Sequence, residues 1–354
     1  MRVLVTGASG FVGRYVTREL RAREHEVSAL MRPSSALPVE LAELDVRLVR
    51  CDLRRPGPEL ARELAQCEAI VHLAAGTSGS PRSRFDATVL ATERLIGAMR
   101  EVGWSGRLVH VSTLAVYGFN QVARGGTIDD FTPLEPHLGR RDDYAWVKSL
   151  QERLVGELRS AGDVEVVVVR PGAVYGRERQ FQHRLGRPLG DGGVLLIGGL
   201  NLIPCNYVEN TASLLAECVV NPRAEGETFN AIDPDPPRQC GYLRRWRRAQ
   251  PGRTRIIPLP LTLYHGMAAA YGLAARLSGG LIAAPGMLSR YQLMSNLRSY
   301  RYETDRVTKV LGWRPPISRN EAYARTFAAT PSPPSARRRP VTPDTRPARV
   351  RAGG

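Results

Sequence analysis

The segment "DDYAWVKSLQERL" (142–154) sets a phenol, Tyr144, four residues before an ammonium, Lys148. On a helix those two side chains share one face. A phenol with a pKa of ~10 is a poor base at neutral pH. A neighbouring ammonium favours its phenolate and moves it toward the range where general acid–base catalysis works. Lysine is itself scarce here: the chain carries 50 Lys+Arg, yet only Lys148 and Lys309 are lysines. Arg keeps its proton at any accessible pH, whereas a Lys ammonium responds to its neighbours. A lysine kept in a sequence that otherwise writes Arg points to chemistry at Lys148.

A second pattern stands at the start of the chain. "TGASGFVG" places Gly7, Gly10 and Gly13 three apart, with Phe11 and Val12 between the last two. It follows a short apolar run, "RVLVT", and opens an amphipathic stretch, "FVGRYVTRELRAR". That strand–turn–helix context makes the glycines a dinucleotide cradle. The turn lets backbone approach a pyrophosphate, and the helix start offers unpaired N–H groups with a positive dipole end. The next strand ends "ALMRPSS", with Arg32, Ser34 and Ser35 where an acid would bind a ribose 2′-OH. A guanidinium and hydroxyls suit a 2′-phosphate, so NADP is preferred over NAD.

The elements that must position these residues alternate in type. Strand-like runs lie at 46–52, 69–75, 107–113 and 164–172, with helical stretches between them, including 86–102 and 144–161. This predicts an α/β chain with a Rossmann-type, doubly wound parallel sheet and a smaller, mixed C-terminal substrate-binding region. The expected organisation is a dinucleotide-binding domain over 1–176 and a substrate-binding region over 177–330, with 205–233 returning to the sheet. A disordered Pro/Arg-rich tail over 331–354 completes it. Gly and Pro clusters mark 186–204 as loops, and 256–275, which lacks any charged side chain, reads as a helix with Leu261, Tyr264, Ala268, Tyr271 and Ala275 in one stripe.

Composition excludes some classes. The net charge of +16 invites a nucleic-acid partner, but six Arg against one Asp in 331–354 carry +5 of it. The Arg bias runs through the whole chain, so no nucleic-acid role is expected. Five cysteines, Cys51, Cys67, Cys205, Cys218 and Cys240, have no metal-like spacing, which fits thiols in a reducing cytoplasm and no bound metal. Prolines and glycines interrupt 256–275, so no integral membrane segment is expected, with peripheral contact a minor alternative.

With the glycine loop, "CDL" (51–53), "HLAA" (72–75), "VSTLAVYG" (111–118), "YAWVK" (144–148), "RPGAVYG" (170–176), "NYVEN" (206–210) and "LGWRP" (311–315) in order, residues 1–330 resemble the extended short-chain dehydrogenase/reductases. That family includes NAD-dependent epimerases and dehydratases, dihydroflavonol reductases and 3β-hydroxysteroid dehydrogenases. The resemblance implies Tyr144 as acid/base, Lys148 on the nicotinamide ribose, and Thr113, beside Ser112, on the substrate oxygen. It implies Asp52 and Leu53 along the adenine, Ala74 and Ala75 lining the dinucleotide groove, and Pro171 near the nicotinamide. A homodimer is common in the family.

Departures narrow the chemistry. Leu114 and Ala115 stand where 4,6-dehydratases carry an Asp–Glu pair, which argues against elimination of water. Thr88 replaces an Asn common in sugar-nucleotide members, and "VEN" (208–210) replaces V-D-D. The expected function is epimerase/dehydrogenase chemistry by hydride transfer on a nucleotide-activated sugar. Arg140, Arg141, Arg177, Arg179, Arg184 and Arg187 are candidates to meet the diphosphate. The alternatives are an NADP-dependent reductase of an apolar alcohol or ketone and a non-catalytic dinucleotide sensor.

Overall fold

In the computed structural model, residues 1–328 are described apart from 182, 190–191, 251, 253 and 279–297. The Pro/Arg-rich tail expected at 331–354 lies outside them.

The strands in chain order are β1 (Arg2–Thr6), β2 (Glu26–Met31), β3 (Arg47–Arg50), β4 (Ala69–His72), β5 (Arg107–Val111), β6 (Thr127–Ile128), β7 (Glu165–Pro171), β8 (Ala173–Tyr175), β9 (Arg187–Pro188), β10 (Gly193–Ile197), β11 (Cys205–Tyr207), β12 (Thr228–Ala231), β13 (Arg255–Leu259) and β14 (Arg301–Tyr302). Seven of them form one parallel sheet in the order β12-β7-β5-β4-β1-β2-β3. The order reverses between β1 and β4, which opens a crevice at the carboxyl ends of those strands.

The strands are apolar on both faces because helices cover both. Val3, Val5, Val109, Val111, Val167 and Val169 point to one face, where helices Phe11–Ala22 and Val208–Val220 pack. Leu4, Ile70, Leu108, Val166 and Val168 point to the other, under helices Pro58–Leu64, Ala91–Glu101 and Asp143–Ala161. The period-2 alternation of the strands thus fills two cores from one sheet. Late chain joins this unit as well, since Val307 and Leu311 of helix Arg306–Leu311 pack into the first core.

The smaller sheets depart from expectation. The Gly-rich 186–204 contains β9 and β10 rather than loop alone, and β10 pairs with β13. Residues 255–259 are that strand, so the helix expected from 256 begins only at Leu261 and runs to Leu277. Pro258 and Pro260 explain the late start, since helix-interior prolines lack the N–H and clash with the preceding turn. No helix among the described residues is long and apolar enough to cross a membrane.

Candidate active site

The glycine loop is built by contacts that admit no side chain. Gly7 has φ +71°, and a Cβ there would lie 3.0 Å from Ala74 N. At Gly13 a Cβ would lie 2.3 Å from the Gly7 carbonyl oxygen and 2.8 Å from Ala8 Cα. Helix Phe11–Ala22 thus starts hard against the loop. Its N-cap, Gly10, offers no side-chain acceptor, and its first turn has no acid. Its unpaired N–H groups and positive dipole end are left for an outside anion. The wall opposite is the β4 end, where Ala74 and Ala75 are half-buried. This cradle fits a dinucleotide pyrophosphate.

In the segments after β2 and β3 the acids are already engaged by arginines. Asp52 is held in a fork by Arg54, with Nε at 3.0 Å and Nη2 at 2.6 Å, and that contact holds its carboxyl below the usual range. Leu53 is buried in the second core. Glu40 pairs with Arg14 at 2.6 Å. Arg32 is exposed, and the turn that carries it is fastened by Arg50, which donates to the Ser35 carbonyl at 2.5 Å.

Tyr144 opens helix Asp143–Ala161. Asp142 caps that helix by accepting from Ala145 N at 2.9 Å, and Gly162 ends it in the left-handed region. The half-buried Tyr144 side chain lies near Thr113, just beyond β5. Loss of water around it raises its pKa, against which the nearby Thr113 hydroxyl and Arg179 charge act to lower it. Arg179 also lies over the Phe11 ring, 5.5 Å from its centroid, so one guanidinium is near both the start of the glycine helix and the phenol. Val12, the other apolar residue of the loop, packs on the first core, while Pro171 is buried at the end of β7.

Lys148 is turned differently from the expectation. It is 3 % exposed, and its Nζ donates to the Val111 carbonyl at 2.7 Å and to Gln151 Oε1. Burial brings its pKa down to about 7, against the opposing charge of Glu152. The ammonium was expected to depress the Tyr144 pKa; in this structure Arg179 is the cation that acts on the phenol.

Two further expectations are corrected. Ser112, placed beside the cofactor, gives its hydroxyl to Glu152 in the core. Glu152 pairs in turn with Arg170, whose Nη1 donates to Tyr117 Oη at 2.9 Å. A buried carboxylate needs such partners, and the serine is one of them. Arg141, a candidate for a substrate diphosphate, is buried and donates to the Ala115 and Tyr117 carbonyls at 2.6 and 3.0 Å. Arg184 lies 5.8 Å from the Phe119 ring centroid, while Arg177 and Arg187 are exposed. The Arg140 side chain lies outside the described residues.

Sequence reasoning missed Gln151, His72 and Thr92, which form a buried chain behind Lys148. Thr6 Oγ1 meets His72 Nδ1 at 2.8 Å, and His72 Nε2 meets Thr92 Oγ1 at 2.9 Å. Gln151 Nε2 donates to Thr92 Oγ1 at 2.8 Å and to the Ala74 carbonyl at 3.2 Å. Gln151 could have been flagged from spacing alone, since i+3 from Lys148 is a helical neighbour.

The sheet order agrees with what comparison finds. Residues 3–230 match the NAD dependent epimerase/dehydratase family. The chain belongs to that family. One relative is the 2-alkyl-3-oxoalkanoate reductase of Stenotrophomonas maltophilia (strain K279a), 33% identical over 60% of this chain and 63% of its own length. Another is the dTDP-6-deoxy-L-talose 4-dehydrogenase (NAD(P)(+)) of Kitasatospora kifunensis, 32% identical over 52% and 56%. The chain therefore spans less than two thirds of the length of these curated relatives. Among solved structures, the UDP-glucose 4-epimerase of Thermus thermophilus in complex with NAD has a TM-score of 0.68. It is 21% identical, and the match covers 92% of this chain and 98% of its own. That structure shares the fold across both the sheet and the smaller C-terminal elements.

Proposed function

We propose that the chain is an NADP-dependent oxidoreductase that reduces a ketone carbon, with Thr113, Tyr144 and Lys148 as its catalytic residues. The observation that carries this reading is the half-buried Tyr144 phenol, kept protonated beside Thr113 and near the same Arg179 that covers Phe11 at the start of the glycine helix. A protonated phenol is a proton donor, the role that ketone reduction needs.

Gly7, Gly10, Phe11, Val12 and Gly13 would hold the pyrophosphate. Ala74 and Ala75 would line the groove, with Asp52 and Leu53 at the adenine and Pro171 near the nicotinamide. The nicotinamide, when bound, supplies or accepts a hydride. Thr113 would donate to the substrate oxygen and hold its carbon in line. Tyr144 would pass its proton to that oxygen as it becomes an alcohol. Lys148 would meet the nicotinamide ribose with the proton it has not given to Val111 and Gln151. Exposed Arg32, beside acids already paired with Arg14 and Arg54, supports a 2′-phosphate and hence NADP.

The reductase relative acts on an oxoalkanoate by its name, and the buried Arg141 removes one candidate diphosphate contact, so an apolar ketone is the first substrate class to test. A nucleotide-sugar dehydrogenase or epimerase is the second reading. It is favoured by Arg177, Arg179 and Arg184 on the segment after β8 and by the dTDP-sugar relative. Tyr144→Phe should abolish NADPH oxidation with any accepted ketone while leaving dinucleotide affinity within about tenfold, since at most one neutral hydrogen bond of about 0.5–1.5 kcal/mol is at stake. Turnover by the Phe variant at the wild-type rate would defeat the assignment.

A further inference from the structure

Gln151 is fully buried one turn beyond Lys148, and the orientation of its amide is decided by chemistry. Its neighbours include the Ala74 carbonyl, which can only accept, and the Lys148 ammonium, which can only donate. The amide nitrogen must therefore face Ala74 and Thr92, and the amide oxygen must face Lys148. Lys148 thus gives one proton to the Val111 carbonyl and one to Gln151. Only the remaining proton is left to point at the reaction site.

We propose that Gln151 is a positioning residue: its carbonyl fixes the Lys148 ammonium against β5 and leaves a single N–H directed toward the cofactor and Tyr144.

This rests on the proposed role of Lys148, and the surroundings make the glutamine necessary to it. The polar groups beneath helix Asp143–Ala161 lie in one row on the sheet. Thr6 pairs in register with His72, His72 with His110, and Arg170 stands on β7 two residues beyond the Val168 that faces His110. Neither histidine competes for the proton. Burial holds His72 neutral, down to about 3, and drives His110 well below its ordinary value. From its own helix Lys148 faces Glu152, but that carboxylate is taken by Arg170 and Ser112. The neutral acceptors that directly hold the ammonium in this dry site are Val111 and Gln151. The glutamine also ties Lys148 to Ala74, so the ammonium and the groove wall are placed by one side chain.

Lysine scarcity makes the test direct. Protein labelled with ¹³C at lysine Cε has only two lysine signals, Lys148 and the exposed Lys309, which serves as internal reference. In cofactor-free protein the Lys148 signal should titrate near 7. Gln151→Met, similar in length and apolar, should lower that midpoint by about one unit, because a hydrogen bond that favours the charged form is lost. Gln151→Glu keeps the acceptor, adds charge and should raise it by at least about one unit. In turnover, the Met variant should lose kcat with a displaced pH profile, and the Glu variant should restore rate at higher pH. A Lys148 signal that titrates identically in wild type and in either variant would overturn the proposal. The NMR arm needs no turnover, so it stands or falls separately from the Tyr144→Phe result.

Discussion

Replacing Gly13 by Ala should damage the molecule twice, and the packing around the loop shows how. The added methyl would sit 2.3 Å from the Gly7 carbonyl oxygen, 2.8 Å from Ala8 Cα and 2.9 Å from the Ala8 carbonyl oxygen. All three are backbone, so no flexible side chain can swing away and the loop itself must move. Overpacking of this kind costs about 1–3 kcal/mol, partly offset by the better helix propensity of Ala. The matched control is Gly97→Ala in helix Ala91–Glu101, where nothing lies within 4 Å of the new methyl. There the loss of glycine flexibility should stabilise by about 0.5–1 kcal/mol. The two variants should therefore differ by about 2 kcal/mol in urea denaturation, in opposite directions from wild type. Dinucleotide affinity, read by fluorescence titration, should fall at least about tenfold for Gly13→Ala, because the displaced loop no longer aims its N–H groups at one anion. It should be unchanged for Gly97→Ala. If Gly13→Ala bound the dinucleotide normally and were as stable as the control, the cradle described for Gly7, Gly10 and Gly13 would be wrong.

Arg32→Ala should weaken NADPH binding by about tenfold and leave NADH binding nearly unchanged, because one charge-assisted contact to the 2′-phosphate is removed; equal losses for the two cofactors would sink the NADP preference. Lys148 gives a signed pH dependence. Its folded pKa of about 7 lies below the ordinary 10.5, so between those values the unfolded chain binds more protons and stability rises with pH. The slope is at most about 1.4 kcal/mol per pH unit. Lys148→Met should remove it, and parallel denaturation curves for wild type and variant at pH 7, 8.5 and 10 would contradict the burial argument.

What could be read from residues alone was what is local. Tyr144 and Lys148 are one helical turn apart, and Gly7, Gly10 and Gly13 belong to one loop, so spacing sufficed to put each set together. The β-α-β alternation likewise follows from periodicity within single elements. Register between strands is not local. Nothing in the neighbourhood of Ser112 announces that its hydroxyl meets Glu152, forty residues later. Arg141 reads like any other surface arginine until the fold places the Ala115 and Tyr117 carbonyls around its guanidinium. The strand at 255–259 escaped for a different reason, since it is paired with β10 in a segment whose glycines read as loop.

The same distinction explains why the site is where it is. Toward the carboxyl ends of β1, β4, β5 and β7, the positions that would continue the apolar face of Leu4, Ile70, Leu108 and Val168 are Thr6, His72, His110 and Arg170. Polar groups buried in this way cost stability unless each finds a partner. Helix Asp143–Ala161 supplies Gln151 to His72 and Glu152 to Arg170, while Thr6 pairs with His72 itself and neither ring nitrogen of His110 has a hydrogen-bond partner among the described residues. A simpler apolar layer would pack this helix as firmly, yet it would remove His72, one of the groups that hold the Gln151 amide behind the Lys148 ammonium. The acceptors that let a lysine be buried there are the Val111 carbonyl and Gln151, and His72, Thr92 and the Ala74 carbonyl hold that glutamine in turn. His72 and Thr92 touch neither Tyr144 nor Thr113 among the described contacts, and both meet Gln151, so the proposed positioning role predicts that changes at either shift the Lys148 titration as well.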